Sequence, residues 1–351
     1  MAARLTGGSA ARSRVVESVL AEAVAKEKPS GSILLAGLVT SIVPAALADP
    51  GQPPVLWNRR CCATDAKAAP WPPPGPFAAA ALRLAKARAE LDMALHAIAS
   101  RLDPSGTLWL CGGNDEGIKS AAAHLEPLFE MVETVLVKSH CRVLRAAHLR
   151  KDVLLKRRLA DWRETFSLDL GDGPRGWVSY PGLFAHGRLD EGTALLLAHL
   201  PGFSAGARVL DFGCGTGVIA AAIGLTSTRP DLTLLDCDAV ALEAARENVP
   251  GSRLVLADGP EALAGEFDAI FSNPPLHDGR SEDLQALDRL LAATPRLLKR
   301  EGFLQIVVQG RIGVARTLQS AFANVSEIAR SSRYIVVRAQ GRPTSARPRR
   351  S

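Results

Sequence analysis

The chain has six cysteines in 351 residues, and no two of them form a C-x-x-C pair. No Cys/His spacing fits a zinc site, so no metal is expected. Cys61 and Cys62 are adjacent, while Cys111, Cys141, Cys214 and Cys237 lie far apart in the sequence. They read as reduced thiols of a cytoplasmic protein rather than a disulfide framework. A membrane span is also missing. The segment that raises the question, Ser32–Ala48 (SILLAGLVTSIVPAALA), is short for a span, contains Pro44 and follows a charged opening that is unlike a signal peptide. It reads as a buried strand running into a core segment. A third absence is the dinucleotide fingerprint G-x-G-x-x-G: the glycines after the strand at Arg208 stand at Gly213, Gly215 and Gly217, and position 218 is Val218.

What is present is ample for folding. The hydrophobic fraction of 47% supplies packed cores, and the length exceeds the usual single domain, so two domains are expected. The net charge of +6 is compatible with a polyanionic partner.

Both halves alternate strand and helix patterns, which argues for an α/β protein with parallel sheets. In the first half the spacing predicts a helix over Arg14–Lys26, a strand over Ser32–Val39, a loop over Asp49–Pro76 and a helix over Phe77–Arg101. Strands follow at Thr107–Cys111 and Val132–Lys138. The turn between them, CGGNDEG, lacks an acid followed by three glycines, so residues 1–140 read as a degenerate, non-catalytic copy of the later fold. Residues 141–165 read as a basic linker helix carrying Arg142, Arg145, Arg150, Lys151, Lys156, Arg157, Arg158 and Arg163, opposed in Cys141–Arg163 by Asp152 and Asp161. Such a band is either a solvated face or a phosphate-contacting surface. Residues 341–351 carry four arginines and no acid and read as a disordered basic tail.

Residues 166–340 form the clearer domain. Strands are expected at Arg208–Phe212, Leu232–Asp236, Arg253–Ala257, Ala269–Ser272 and Phe303–Gln309, with helices at Ala239–Glu247 and Asp283–Leu298 among those between them. Val325–Arg330 and Tyr334–Arg338 would close the sheet as an antiparallel hairpin. In a doubly wound sheet the ligands sit beyond the C-terminal strand ends. Those ends offer Asp211 with the loop Gly213-Cys214-Gly215-Thr216-Gly217, then Asp236, Asp258 and Asn273. Asp236 stands where a carboxylate can take ribose hydroxyls, and Asp258 where one can either accept from an adenine amino group or form a helix cap or turn. In Asn273-Pro274-Pro275 neither proline has an N–H, so the Asn273 side-chain oxygen and the Pro274 carbonyl can both accept from an exocyclic amine and orient its lone pair.

The glycine loop, the strand-end acids and Asn-Pro-Pro resemble class I S-adenosylmethionine-dependent methyltransferases that modify planar amino groups. PGLFAHGRLDEGT at Pro181–Thr193, with VLDFGCGTG and SNPPLHDG, is similar to the bacterial ribosomal RNA small subunit methyltransferase C family. The resemblance implies two tandem Rossmann-like domains, S-adenosylmethionine as cofactor, and transfer to a guanine N2 amine of 16S ribosomal RNA by a monomer acting on RNA or the small subunit. It implies that Asp211 and the glycine loop hold the methionine part of the cofactor. Phe184, Asp190, Gly192 and Thr193 would line its far side, although Asp190 could equally cap the helix that follows. Leu276 would face the target base, and His277 would either substitute there or be a bystander. Leu276 departs from the family, which places an aromatic there; base stacking is worth roughly 1–3 kcal/mol. A large-subunit guanine, an adenine N6, a protein glutamine N5, or a non-catalytic assembly role remain alternatives at this point.

Overall fold

The computed structural model describes residues 7–49, 51–61, 68–274, 281–310 and 314–341. The chain divides into two compact units. One comprises Met1–Arg163 with the short segments Tyr180–Gly182 and Asp238–Val240; the other comprises Glu164–Ser179, Leu183–Cys237 and Ala241–Ser351.

The first unit runs α1 (Gly7–Glu27), β1 (Ile33–Ala36), α2 (Ile42–Ala46), β2 (Val55–Trp57), β3 (Phe77–Arg83), α3 (Arg88–Ala99), β4 (Leu102–Gly113), α4 (Ala122–Leu125), β5 (Phe129–Lys138) and β6 (Cys141–Leu149). Its six strands lie in the order β2-β1-β3-β4-β6-β5. The first four are mutually parallel, and β6 runs antiparallel to both β4 and β5. Period-2 alternation feeds both faces. Leu34, Ala80 and Leu82 pack with Leu95 and Ile98 of α3, while Ile33, Leu35, Ala79 and Ala81 pack with Val16, Leu20 and Val24 of α1.

Three sequence expectations are corrected here. Phe77–Arg83 is a strand, not the start of a helix, which begins only at Arg88. Its Ala/Leu composition favours helix, but the segment lies between β1 and β4 with Phe77 and Ala79–Leu82 buried, and that burial outweighs propensity. The Pro/Gly-rich stretch expected as loop contains β2. The basic stretch expected as a linker helix opens as β6, a strand inside the sheet. Its Val143, Leu144, Ala146 and Ala147 are buried, and Arg145 is neutralised by Glu27 and Glu133.

The second unit opens with a hairpin, β7 (Glu164–Asp169) and β8 (Pro174–Ser179), and continues α5 (Glu191–Leu197), β9 (Arg208–Phe212), α6 (Val218–Thr226), β10 (Asp231–Asp236), α7 (Ala239–Asn248), β11 (Arg253–Leu256), β12 (Phe267–Ser272), α8 (Ser281–Leu297), β13 (Leu298–Gln309), α9 (Val314–Ala321), β14 (Asn324–Arg330) and β15 (Tyr334–Gln340). The sheet order is β11-β10-β9-β12-β13-β15-β14. The first five strands are parallel, and β15 and β14 close the edge antiparallel, as the sequence predicts. Consecutive strands step outward from β9 to β11, and the chain then returns to lay β12 on the other side of β9. That reversal opens a crevice at the C-terminal ends of β9 and β12.

Candidate active site

Every strand-end residue singled out from the sequence stands at the C-terminal edge of the parallel strands, with Asp211 and Asn273 at the crevice itself. The pairing of Phe271 with Asp211 sends β9 and β12 out of the sheet side by side. The glycine loop and Asn273-Pro274 therefore leave the sheet as neighbours. A buried hydroxyl, Ser272 Oγ, donates to the Phe212 carbonyl at 2.7 Å and fastens the two strand ends together.

Asp211 is 1% exposed. Its Oδ2 accepts from the Ala220 N–H in the first turn of α6 at 3.1 Å, whereas Oδ1 is buried with no protein partner. Burial pushes its pKa up to about 7, partly relieved by the Ala220 bond, with the negative Asp236 nearby acting in the same direction as burial. A buried carboxylate oxygen without a donor is costly in an ordinary core, and a cationic ligand group would satisfy it.

The loop that follows requires glycine for two reasons. Gly213 and Gly215 hold φ of +70° and +53° beside open space, whereas a Cβ on Gly217 (φ +88°) would meet Val249 at 2.8 Å. Asp236, at the end of β10, accepts from the Gly215 N–H at 2.8 Å. Cys214 stands between the first two glycines of this loop. Its thiol is buried in a cluster with Trp177, Ala220 and Leu242, and its N–H is spent on the Leu235 carbonyl at 3.0 Å. Burial, with the acids Asp236 and Asp211, raises its pKa well above the ordinary thiol range, so it is a core residue and no nucleophile.

Asp258 follows β11. Arg289 of α8 donates through Nη1 to its carbonyl at 2.6 Å and to Oδ2 at 3.2 Å, and also holds Glu261. A Cβ at position 259 would lie 2.0 Å from the Arg289 guanidinium, so Gly259 is what admits it.

Asn273 directly follows β12. Its Nδ2 donates to Asp190 Oδ2 at 3.0 Å and to Thr193 Oγ1 at 2.8 Å. Asp190 is also the N-cap of α5, accepting from the Thr193 N–H at 2.9 Å. Gly192 sits against the Tyr334 ring, Phe184 is 53% exposed, and Pro274 is buried. Pro275, Leu276 and His277 lie outside the described residues.

Several supports were not legible as motif residues. Trp177 Nε1 donates to Thr216 Oγ1 at 3.0 Å, and the Asn248 side chain bonds the Thr216 carbonyl and both backbone groups of Val178, bracing the β8 strand against the glycine loop. Arg289 belongs with them. Tertiary partners of this kind leave no local spacing to read.

The first unit repeats the plan without the site. Among the described residues its strand order is that of the second sheet, with a single parallel bridge between Asn58 and Ala68 at the place of β11, so β1 corresponds to β9, β2 to β10 and β3 to β12. The counterpart of the glycine loop is therefore Gly37–Ser41 after β1, and not CGGNDEG after β4 as expected. Gly37 (φ +68°) donates to the Trp57 carbonyl as Gly213 does to Leu235. By register, Leu35 stands at the place of Asp211, Asn58 at Asp236 and Arg83 at Asn273. The loop N–H groups of Val39 and Thr40 are already bonded, at 2.8 and 3.1 Å, by the buried Glu17 carboxylate of α1.

The orphaned Asp211 oxygen, the open glycine cradle and the strand-end acids fit an amino-acid nucleoside, and with this sheet order they define a class I S-adenosylmethionine-dependent methyltransferase. Comparison with known proteins agrees. The Methyltransferase small domain matches residues 176–338, and the Methyltransferase small domain N-terminal matches residues 55–166. Ribosomal RNA small subunit methyltransferase C of Pseudomonas putida (strain W619) is 35% identical over 271 residues, 76% of this chain and 80% of that protein. Its counterpart in Pseudomonas entomophila (strain L48) is 37% identical over 269 residues, 75% of this chain and 79% of its own. The chain belongs to the ribosomal RNA small subunit methyltransferase C family. The solved T. thermophilus 16S rRNA N2 G1207 methyltransferase (RsmC), in complex with AdoMet and guanosine, superposes with a TM-score of 0.80 over 93% of this chain and 92% of that one, at 20% identity, a likeness of fold.

Proposed function

We propose that the protein methylates the exocyclic N2 amine of a guanine in 16S ribosomal RNA. The observation that carries this reading is Asn273-Pro274 at the end of β12, beside the loop of β9 that fits the methyl donor. Bound S-adenosylmethionine would supply an electrophilic methyl group on a sulfonium sulfur, the carbon–sulfur bond breaking as the nitrogen–carbon bond forms, with S-adenosylhomocysteine as leaving group and the surplus amine proton passing to solvent. Asp211 receives the ammonium of its methionine part, Asp236 the ribose hydroxyls and Asp258 the adenine amino group. Asn273 Oδ1 and the Pro274 carbonyl accept the two N–H bonds of the target amine, which directs its lone pair at the methyl carbon. No base stronger than these acceptors is needed before attack. The target base must be unpaired or extruded to enter.

Residues 166–340 carry the chemistry in this reading, and the first unit serves the RNA. The exposed Arg150, Lys151, Lys156, Arg157 and Arg158 would contact phosphates and make binding salt-dependent. The protein would act in the cytoplasm as a monomer. The test is incubation with labelled cofactor and small-subunit RNA or particles, followed by nucleoside analysis. Label in N2-methylguanosine is expected; label in adenosine or in protein would refute the assignment.

A further inference from the structure

The mechanism above needs Asn273 to present its oxygen to the amine, yet a carboxamide can be turned either way round in similar space. We propose that Asp190 and Thr193 form the device that fixes this orientation, so that Asp190 is a positioning residue of the methyl-acceptor site and not a wall of the cofactor site. The inference rests on the assignment of Asn273 as the amine acceptor.

The hydrogen-bond directions leave no choice. Asp190 Oδ2 is an acceptor, and it takes three donors: the Thr193 N–H at 2.9 Å, the Thr193 hydroxyl at 3.3 Å and Asn273 Nδ2 at 3.0 Å. The Thr193 hydroxyl proton is thereby committed to Asp190, and its oxygen meets Asn273 only by accepting, at 2.8 Å. Two acceptors therefore face one end of the carboxamide, and that end must be the NH₂. Turning the amide over would set its oxygen against a carboxylate and a lone pair. The Oδ1 atom is consequently held toward the other side, where the β9 and β12 ends open.

The device is rigid because it is built on a helix start. Asp190 is at the N-cap of α5 with extended backbone angles (φ −68°, ψ 142°), and Thr193 is 7% exposed. At position 192 a Cβ would press on the Tyr334 ring at 3.0 Å and on Asp190 Oδ2 at 3.1 Å, so Gly192 leaves the carboxylate its place. One carboxylate thus caps α5 and aims the side chain that follows β12.

The double role suggests the variants. Asp190→Ser keeps a good N-cap but is too short to reach Asn273. Asp190→Asn keeps an oxygen that can serve both the cap and Asn273. For the full chain with small-subunit RNA, Asp190→Ser is expected to lower kcat at least about tenfold with the cofactor Kd within about twofold of wild type, and Asp190→Asn to restore most of the rate. Adding Asp190→Ser to Asn273→Ala should cost no further rate, because both act through one group. Wild-type kcat for Asp190→Ser overturns the proposal, as does a raised cofactor Kd with unchanged kcat, or an Asp190→Asn as slow as the serine variant. If Asn273→Ala itself turns over at the wild-type rate, what fails is the assignment of Asn273.

Discussion

Lowering the pH from 7.0 to 5.5 should weaken cofactor binding to the free protein about fifteen-fold, through one residue. Asp211 has a pKa of about 7 when nothing is bound, because its carboxyl is buried and its Oδ1 lacks a donor. An ammonium placed against Oδ1 favours the ionised form, so only that form binds well. Its population falls from about one half at pH 7.0 to about 3% at pH 5.5. The amino group of S-adenosylhomocysteine stays protonated in this window, as α-amino groups titrate near 7.7–8.0, so the slope belongs to the protein. Calorimetry in buffers of different ionisation enthalpy should show release of about half a proton at pH 7.0 and nearly one at pH 5.5. Asp211→Asn should bind weakly and without this slope. An affinity that is flat between pH 7.0 and 5.5, with no proton release, would refute the reading of Asp211.

The same shift has a stability consequence of opposite sense. The folded pKa lies above the unfolded value of about 3.9, so the folded state holds the extra proton between the two. The advantage is complete below the unfolded pKa and is lost as pH rises through about 7, amounting to about 4 kcal/mol against the unliganded fold at alkaline pH. Asp211→Asn should therefore raise the melting temperature of the unliganded protein at pH 8 while impairing function, a trade common at binding sites.

Arg289→Ala should release Asp258 and weaken S-adenosylhomocysteine about tenfold, whereas Arg296→Ala, which braces only the Pro260 and Leu263 carbonyls, should change it less; equal losses in titration calorimetry would make Arg289 a plain brace. Glu17→Ala strips partners from the Val39 and Thr40 N–H groups and should cost about 2–4 kcal/mol in denaturant unfolding; a change under about 0.5 kcal/mol would contradict the role given to Glu17. Raising salt from 50 to 200 mM should weaken RNA binding steeply in a filter assay, and Lys151→Glu with Arg157→Glu should flatten that dependence; an unchanged slope would place the phosphate track elsewhere.

The second unit was legible because its signals are local. A strand that ends in an acid and a glycine turn, a carboxylate at the next strand end, and an asparagine before two prolines can each be read from spacing alone, and the β14–β15 hairpin follows from its short turn. The first unit misled where local and tertiary preferences conflict. FAAAALR reads as helix, yet it is a central strand, because a segment with neighbours on both sides gains more from pairing and burial than from propensity. RVLRAA reads as a charged linker because the sequence does not show that Glu27 and Glu133 meet Arg145. In the site, the partners of Asn273 and the burial of the Cys214 thiol stayed hidden for a related reason. A motif fixes where a residue stands along the chain, whereas hydrogen-bond partners on other elements decide which way its side chain faces.

The two units share one plan and differ at the residues of the candidate site. Their first strands, turn glycines and strand orders correspond, but at the positions of Asp211, Asp236 and Asn273 the first unit carries Leu35, Asn58 and Arg83. Leu35 removes the buried acid and lends its side chain to the core with Val16 and Leu20. Asn58, at the place of Asp236, donates to the Leu38 carbonyl at 3.1 Å and ties the end of β2 to the loop after β1. Arg83 is committed to Glu116 at 2.6 Å. What could not be lost was a partner for the loop N–H groups, since buried donors left unpaired are penalised whether or not a ligand comes. Glu17 supplies that partner from within, and an internal carboxylate present at all times satisfies the loop amides without any bound ligand. The first unit thereby keeps the folded plan with its loop amides satisfied from within, while the second leaves a buried Asp211 oxygen that a ligand donor could meet.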